Sequence, residues 1–385
     1  MLQTVTHPNK RLNRTMQHRE IIIIGGGLAG LIAACLLAKK QQQVLVIEKK
    51  VYPFHRVCGE YISNEVKDFL QREGLFPSHL EPADINTFQL SSIDGKLAEL
   101  KLELGGFGIS RYALDLYLYE KARYLGVEFL LQTQADEVFF DTKENSFTIH
   151  LQHGQVFTAT HVIGAFGKRS KIDKSMNREF MNQRSPYIGV KYHIRTDFDH
   201  HTVALHNFEG GYCGVNRVEN GVYNLCYLGS RDSLKKFGNI PEMEAAVLHQ
   251  NPHLKRIFNE SEFLFDKAEV INEINFEPKL PVENHVLMVG DAAGLITPLC
   301  GNGMAIAMHT GKLAAEQLLR GGTRAEVEQY YTHAWDGLFK QRLWVGRTVQ
   351  KLFGARWVSS FAVGLIKNSR FLGNQIVKQT HGVPF

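Results

Sequence analysis

The chain has 385 residues, of which 44% are hydrophobic and 22% charged, and its net charge is +5. This length and apolar content exclude a disordered tail and a small disulfide-stabilised module, and they indicate two domains or one large domain with insertions. The small excess of basic residues is compatible with nucleic acid, an acidic substrate or a membrane surface as partner. Which of these partners is favoured depends on where the charges lie along the chain.

Residues 1–20 precede the first predicted element. They contain four basic side chains but no apolar run long enough for a signal peptide, and we expect them to form a mobile leader. Order is predicted to begin at the isoleucine run 21–24, which is typical of a strand buried on both faces of a parallel sheet.

A glycine-rich turn follows that strand directly. The sequence Gly-Gly-Gly-Leu-Ala-Gly spans 25–30, an Ala- and Leu-rich helix is predicted over 28–40, and a second strand over 44–47 ends at Glu48. A strand, a glycine turn, a helix and a second strand within about 30 residues form the unit that binds dinucleotides.

The glycines of this turn match the Gly-x-Gly-x-x-Gly pattern at Gly25, Gly27 and Gly30. The first permits the tight turn, the second lets the backbone approach a pyrophosphate, and the third lets the helix pack on the strand. The phosphates would lie at the helix N-terminus, and Glu48 would accept hydrogen bonds from ribose hydroxyls. Because a carboxylate repels a 2′-phosphate, the pattern favours FAD or NAD over NADP. A glycine turn without a ligand is the alternative.

The middle of the chain alternates less regularly. Asn220-Gly221 lies between two β-rich runs and is a strong signal for an antiparallel hairpin. The elements after the first unit are predicted, in chain order, as a helix over 114–125, a strand over 127–131, short strands over 138–151, hairpin strands over 211–218 and 222–228, a strand over 286–289 and a helix over 304–319.

A second glycine motif follows the strand at 286–289 and favours FAD over NAD. Gly290-Asp291 at a strand end would aim a carboxylate at the hydroxyls of a ribityl chain, which FAD has and NAD lacks. The next helix would direct its N-terminus at a flavin ring and stabilise negative charge there. An ordinary strand-loop-helix turn is the alternative. The residues expected near the ring are Pro298, Gly301, Asn302, Gly303 and Met304.

On these motifs the chain resembles the FAD-dependent oxidoreductase superfamily of glutathione-reductase-like fold, which contains aromatic hydroxylases, flavin halogenases and geranylgeranyl reductases. The resemblance covers most of the chain and implies an α/β fold with a Rossmann-like FAD-binding domain, an inserted antiparallel-sheet substrate domain and a C-terminal helical tail. It also implies that the segment 56–60 runs past the pyrophosphate and the flavin. The further cofactor contacts that it implies are Leu28, Ala29, Lys49, Arg56, Cys58 and Arg111.

Two details favour the geranylgeranyl reductase branch of this superfamily. Aromatic hydroxylases usually carry His after Gly-Asp-Ala-Ala, whereas this chain has Gly294, and Cys58-Gly59-Glu60 resembles the Cys-Gly pattern of the reductases. The Trp-x-Trp-x-Ile-Pro signature of halogenases is absent. The family's Gly-Ala-Asp-Gly motif carries Phe166 in place of the aspartate. Hydroxylases use that motif for FAD and NADPH contacts, so the substitution argues against direct reduction by NADPH. NADH or NADPH is nevertheless the electron donor that the family resemblance leads us to expect.

A flavin carries the redox step itself, and the sequence shows no acid–base dyad. The candidates for a proton donor or a substrate contact are Cys58, Tyr212 and Cys300; packing is the alternative interpretation of each. The five cysteines form no Cys-x-x-Cys pair, and the histidines lack metal-binding spacing. We therefore expect no disulfide framework, no metal and a reducing cytoplasm.

The C-terminal segment 337–385 differs from the rest of the chain. It has no Asp or Glu, eight basic residues and interleaved aromatic residues, and its apolar stretches fall short of the ~20 residues that span a bilayer. Three roles are open: a cap on the substrate pocket, a peripheral membrane contact, or a helix packed on the body with a solvated basic face. The predicted division is a leader over 1–20, an FAD-binding domain over 21–80, 106–180 and 270–330, a substrate-binding domain over 81–105 and 181–269, and a tail over 331–385.

The sequence thus predicts an FAD-dependent oxidoreductase that acts on a hydrophobic, isoprenoid- or polyketide-like small molecule. The favoured reaction is reduction of a carbon–carbon double bond by hydride transfer from reduced FAD. The alternatives are an FAD-dependent monooxygenase that hydroxylates an aromatic or polyketide-like substrate and, more remotely, a non-catalytic binding module. Residues 1–20 carry +3 and 337–385 carry +8, so the body between them is acidic and no nucleic-acid partner is expected. Nothing in the sequence sets the oligomeric state.

Overall fold

The computed structural model describes residues 17–272, 274–295, 302–350, 356–368 and 382–385. Three residues predicted for the site, Pro298, Cys300 and Gly301, lie outside the described residues. The strands are β1 (Gln17–Ile24), β2 (Val44–Ile47), β3 (Tyr61–Ser63), β4 (Ala83–Ser91), β5 (Leu97–Gly108), β6 (Glu128–Leu130), β7 (Ala135–Asp141), β8 (Ser146–Leu151), β9 (Val156–Gly164), β10 (Tyr187–Arg195), β11 (Thr202–Phe208), β12 (Gly211–Arg217), β13 (Tyr223–Ser230), β14 (Glu262–Phe263), β15 (Glu269–Ile271), β16 (Val282–Glu283) and β17 (Val286–Met288).

The α-helices of the described residues connect and cover these strands. They are α1 (Leu28–Lys39), α2 (Lys67–Arg72), α3 (Arg111–Tyr124), α4 (Lys171–Ser175), α5 (Arg231–Phe237), α6 (Ile240–Val247), α7 (Pro252–Glu260), α8 (Gly303–Arg320), α9 (Arg324–Trp335), α10 (Gln341–Gln350) and α11 (Arg356–Asn368).

The first sheet has eight strands and contains the parallel unit that the sequence predicts. Its main path runs β16-β17-β9-β1-β2-β6, with β7 and β8 attached beside β9, and the strands from β17 to β6 are parallel. The isoleucines 21–24 of β1 are all buried, as expected for a strand covered on both faces. Parallel pairing brings the carboxyl ends of β2, β1, β9 and β17 to one edge of the sheet.

Helix α1 packs closely against α8 beside this sheet. A Cβ atom at Gly311 would lie 2.3 Å from the backbone oxygen of Ala29, so glycine is what allows the two helices to approach. Nearly every residue of α1 is buried, which explains why the helix lacks a polar stripe.

Strand β1 begins at Gln17, four residues before the expected start of order. Residues 17–19 pair with 157–159 of β9, and Arg19 forms an ion pair with Glu128 at 2.9 Å. The expected leader is therefore wrong for 17–20, because the length of β9 offers hydrogen-bond partners beyond the isoleucine run.

The second sheet has nine strands in the order β14-β10-β13-β12-β11-β4-β5-β3, with β15 also paired to β10. It contains the predicted hairpin: β12 and β13 pair antiparallel, and Asn220 and Gly221 both adopt positive φ, 56° and 71°. Helices α5, α6 and α7 cover one face of the sheet and share an apolar core with it. The opposite face carries the polar residues described below.

The division between the two sheets differs from the predicted domain limits. The strand at 61–63 and the end of β5 at 106–108 pair with each other in the second sheet, although both fall in the stretch predicted as FAD-binding domain. The pairing explains the difference, since residues 61–63 form the edge strand that completes this sheet.

The C-terminal helices are partly continuous with the body. Tyr331, Trp335 and Phe339 are buried in the core of the first sheet, so the predicted start of a separate tail at 331 is too early. Helix α11 packs on β4 and β5. Among the described helices, none has both the length and the apolar character needed to cross a bilayer.

Candidate functional site

The glycine turn after β1 is enforced by close backbone contacts. Gly25 has φ of +109°, and a Cβ atom there would lie 2.2 Å from the oxygen of Ala165, while a Cβ at Gly30 would lie 2.1 Å from the oxygen of Gly25. Gly27 is different, because the nearest atom to its added Cβ is a guanidinium nitrogen of Arg111 at 3.8 Å. Gly27 is also the N-cap of α1 and provides no side-chain cap. The first N–H groups of α1 are therefore available to an anion beside Gly27.

Glu48, at the end of β2, is fixed to this turn. Its side chain is buried and accepts hydrogen bonds from Gly26 N at 2.8 Å and Lys50 N at 3.0 Å. A guanidinium nitrogen of Arg56 lies 3.6 Å from the same carboxylate. Since each carboxylate oxygen accepts more than one hydrogen bond, Glu48 retains capacity for ligand hydroxyls. Lys49, also predicted as a cofactor contact, is exposed.

Two arginines meet beside the turn on one buried carboxylate. Arg111 donates from Nε and Nη2 to the two oxygens of Asp115, both at 2.7 Å, and Arg56 Nε donates to Asp115 at 3.2 Å. The bidentate pair fixes the plane of the Arg111 guanidinium next to Gly27. Both arginines were predicted as cofactor contacts, whereas Asp115 was not, because its only signal is its spacing four residues after Arg111 in a helix.

The turn after β17 is hydrogen-bonded to a side chain of α8. Gly290 has φ of +58°, and its N–H donates to Thr310 Oγ1 at 2.8 Å. Asp291 follows, half-buried. Asn302 and Met304 at the start of α8 are buried, as are Leu28 and Ala29 at the start of α1.

Two buried cations hold the backbone oxygens of this second turn. Lys279 Nζ donates to the oxygens of Lys168 and Asp291, both at 2.9 Å, and Arg178 Nη1 donates to the oxygen of Ala292 at 3.0 Å. Burial lowers the pKa of Lys279 to about 8. Neither cation was predicted, because their distance along the chain from the motif conceals the contact.

The ends of β2 and β17 lie at the same edge of the first sheet and are well separated. Glu48 follows β2 and Asp291 follows β17, three strand positions away in the order β17-β9-β1-β2, or about 14 Å at ~4.8 Å per strand. The Gly25 turn lies between them. Phe166 follows β9 in the same row, and its ring lies 2.8 Å from a Cβ added at Gly164, so it packs on the end of β9. This row fits an extended ligand with a diphosphate between two polyhydroxyl groups.

The comparisons with known proteins agree with that geometry. A family model described as an FAD binding domain matches residues 18–321. The chain belongs to this family. It is 24% identical to conditioned medium factor receptor 1 of Dictyostelium discoideum over 86% of the chain and 70% of the relative. It is 27% identical to the digeranylgeranylglycerophospholipid reductase of Methanosarcina mazei over 82% of the chain and 80% of the relative.

A solved structure has the same fold. A geranylgeranyl bacteriochlorophyll reductase-like protein from Thermoplasma acidophilum superposes with a TM-score of 0.76, covers 95% of this chain and 96% of its own, and is 17% identical. The protein is thus an FAD-dependent oxidoreductase of the glutathione-reductase-like fold, which confirms the family and cofactor class predicted from the sequence. When bound, FAD supplies the redox chemistry, and the chain supplies position and a shielded environment.

A buried charged cluster joins the two sheets next to this site. Glu60 accepts hydrogen bonds from Lys191 Nζ at 2.5 Å, from His193 Nε2 at 2.7 Å and from Arg111 N at 2.7 Å, and both Glu60 and Lys191 are fully buried. Burial alone would raise the pKa of Glu60, but the charge of Lys191 and the hydrogen bond from His193 lower it. The carboxylate is thus charged, and it links β10, α3 and the segment 56–60.

The segment that contains Cys58 is fastened to the second sheet. Asn224 Nδ2 donates to the oxygens of Cys58 and Gly59, at 3.2 and 2.8 Å. Cys226 is the register partner of Lys191, and burial, together with Cys58, raises its pKa to about 12. Cys58 therefore lies where the two sheets meet, beside a neutral thiol that sequence reasoning did not single out.

Tyr212 lies in a different part of the same sheet face. It is buried in an apolar cluster that also contains Leu295, which follows the Gly290 turn, and residues of α11. We call this cluster the apolar wall; its buried members are Leu90, Ala98, Leu100, Leu205, Tyr212, Leu228, Ile274, Leu295, Val363 and Ile366. Within the described residues, no group of His, Cys, Asp and Glu could hold a metal ion.

Proposed function

We propose that this oxidoreductase reduces a carbon–carbon double bond of a hydrophobic, isoprenoid- or polyketide-like small molecule by hydride transfer from reduced FAD. The observation that carries the proposal is the apolar wall, which extends from Leu295 beside the Gly290 turn to Tyr212 on β12 and Val363 on α11. The members of the wall are packed together next to the Gly290 turn, and an apolar environment there favours a water-poor substrate. The similarity to a reductase of geranylgeranyl lipids supports this substrate class.

Reduction of a double bond needs a proton as well as a hydride. The two predicted proton donors among the described residues are Cys58, at the junction of the sheets, and Tyr212, in the apolar wall. Each carries an S–H or O–H group that can donate a proton to a substrate carbon. We propose them as alternative donors for this step.

We propose NADH or NADPH as the source of electrons for the flavin. Phe166, which follows β9, stands where the superfamily has an aspartate, and the phenyl ring of Phe166 packs on the end of β9. Mixing the oxidised holoprotein with each nicotinamide without oxygen tests the proposal: bleaching of the flavin absorbance identifies the donor. Absence of bleaching with both would overturn it and indicate a protein electron donor.

The reaction is tested with the reduced holoprotein in the absence of oxygen. Digeranylgeranylglycerophospholipid is added as the probe, and the flavin absorbance and the product mass are followed. We expect the oxidised flavin spectrum to return and the lipid to gain two hydrogens for each double bond reduced, whereas the fully saturated lipid has no effect. Reoxidation only after oxygen is admitted, with an oxygen atom in the product, would contradict the proposal in favour of hydroxylation.

Variants assign the proton donor in the same experiment. Cys58→Ala or Tyr212→Phe should slow reoxidation of the flavin by the lipid while FAD stays bound. Cys213→Ala is the matched control, because Cys213 is buried in the core on the other face of the same hairpin. Unchanged rates in both donor variants would remove these residues from the mechanism.

A further inference from the structure

Helix α11 has two apolar faces. Val363 and Ile366 point inward and are buried in the apolar wall. On the outward side, Trp357 and Phe361 are one turn apart and are 74% and 66% exposed. A surface helix of a globular protein normally has charged or polar residues on its outer face, so the outward face of α11 requires an explanation.

The helical spacing places further apolar residues on that outward face. Val358 and Leu365 lie beside Trp357 and Phe361 at 100° per residue, both partly exposed. The charged residue Lys367 lies toward one edge of the helix and is exposed. The outward face is thus an apolar strip from Trp357 to Leu365, about 12 Å long at 1.5 Å per residue, with positive charge at its border.

We infer that the outward face of α11 binds the surface of an anionic lipid bilayer. The sequence from 337 to 385 contains eight basic and no acidic residues, so an anionic surface attracts this end of the chain. Tryptophan and phenylalanine are the side chains that helices lying on a membrane insert at the level of the headgroups. Trp344 of α10, also in this basic segment, is 62% exposed.

The position of α11 gives this contact a consequence for the substrate. One face of the helix would rest on the bilayer, and its other face forms part of the apolar wall through Val363 and Ile366. In this delivery role, a substrate dissolved in the bilayer enters the protein beside α11, the helix that lies between the bilayer and the apolar wall. This delivery role rests on the proposed function, whereas the membrane contact itself does not.

Vesicle sedimentation of the FAD-loaded protein tests the contact. We expect binding to vesicles of equal parts phosphatidylglycerol and phosphatidylcholine, weaker binding to pure phosphatidylcholine, and weaker binding at high salt. The double substitution W357S/F361S should weaken binding about tenfold or more, because two large apolar side chains no longer enter the interface. The flavin spectrum checks that this variant is folded.

The matched control is Tyr124→Ser at the end of α3. Tyr124 is 88% exposed and lies on another helix, so its loss should leave vesicle binding unchanged. Equal binding of the W357S/F361S protein and the unsubstituted protein would overturn the inference. Light scattering is measured in parallel: failure to bind vesicles, with a dimer that W357S/F361S dissociates, would overturn it and assign the face to a second copy.

The two proposals fail in distinguishable ways. If the protein binds vesicles but reduced flavin is not reoxidised by lipid in any form, the proposed reaction is wrong and the membrane contact stands. If the delivery role is correct, W357S/F361S reduces detergent-dispersed lipid at the unsubstituted rate but loses most of the rate with vesicle-embedded lipid. Equal loss with both forms would contradict delivery.

Discussion

The Gly25 turn and the Glu60 cluster lie next to each other but are built from different parts of the chain. The turn consists mainly of backbone: three glycines, the N-terminus of α1, and Glu48, which accepts hydrogen bonds from main-chain N–H groups. The cluster consists of the side chains of Glu60, Lys191 and His193 inside the protein. A backbone site is shaped to receive an external charge, whereas a buried side-chain cluster already contains its own compensating charges. We therefore expect substitutions in the first region to affect ligand affinity and those in the second to affect stability.

The largest effect is expected for Lys191→Met, which leaves the charge of Glu60 buried without its cation. Removal of one partner from a buried pair costs about 3–5 kcal/mol, to be measured as the free energy of urea-induced unfolding. Arg195→Met on the same strand is the control, because its ion pair with Glu262 is exposed and such pairs contribute ~1 kcal/mol or less. Equal effects of the two substitutions would contradict the distinction.

A second buried group of the nine-stranded sheet should make the protein sensitive to acid. Burial, then the nearby His253 and Arg256, lowers the pKa of His206 from 6.5 to about 3. The unfolded chain binds the proton first, so stability falls as the pH drops from 6.5 toward 3. At pH 5 this amounts to roughly 2 kcal/mol.

Unfolding curves at pH 7 and pH 5 measure this loss. Between pH 7 and pH 5, His206→Gln should lose roughly 2 kcal/mol less unfolding free energy than the unsubstituted protein. The control His18→Gln, at an exposed position of β1, should lose as much as the unsubstituted protein. If His206→Gln loses as much stability on acidification as the unsubstituted protein, other groups govern the acid response.

Gly27→Ala tests the backbone region. The added methyl group has its nearest protein atom at 3.8 Å, so the fold should tolerate it, but it enters the space where a pyrophosphate would approach the turn. We expect at least about tenfold weaker FAD binding, or ~1.4 kcal/mol, measured by flavin fluorescence during titration of the apoprotein. Gly337→Ala, where no atom lies within 4 Å of the added Cβ, should leave FAD affinity unchanged. Unaltered affinity in Gly27→Ala would place the diphosphate elsewhere.

An effect of similar size, on stability instead of ligand affinity, is expected for Thr310→Val, which removes the acceptor of the Gly290 N–H. An unpaired buried donor costs about 1–2 kcal/mol, and the change in unfolding free energy measures it. Thr348→Val, which removes an exposed hydroxyl bonded to the oxygen of Trp344, is the control and should change stability by less than ~0.5 kcal/mol. Unchanged stability of Thr310→Val would show that the second turn does not depend on this hydrogen bond.

The parts of the fold whose contacts are close along the chain could be predicted from the sequence alone. The β1–turn–α1–β2 unit was predictable because a buried strand, close-packed glycines and a helix N-terminus follow one another within 21–48. The hairpin at Asn220-Gly221 was predictable because both residues tolerate the positive φ that its turn requires. The family pattern added Arg56 and Arg111, since each stands in a short recognisable segment.

Tertiary structure decided everything that depends on distant side chains. Glu60 lies more than a hundred residues before Lys191, and Lys279 reaches the oxygen of Lys168 across a similar distance, so no local pattern marks either contact. The same holds for α11: its sequence shows apolar and basic residues, but only packing shows that Val363 faces the apolar wall and Trp357 faces outward. The physical reason is that backbone geometry is fixed by neighbouring residues, whereas a buried charge or an apolar face acquires its role from whatever the fold brings against it.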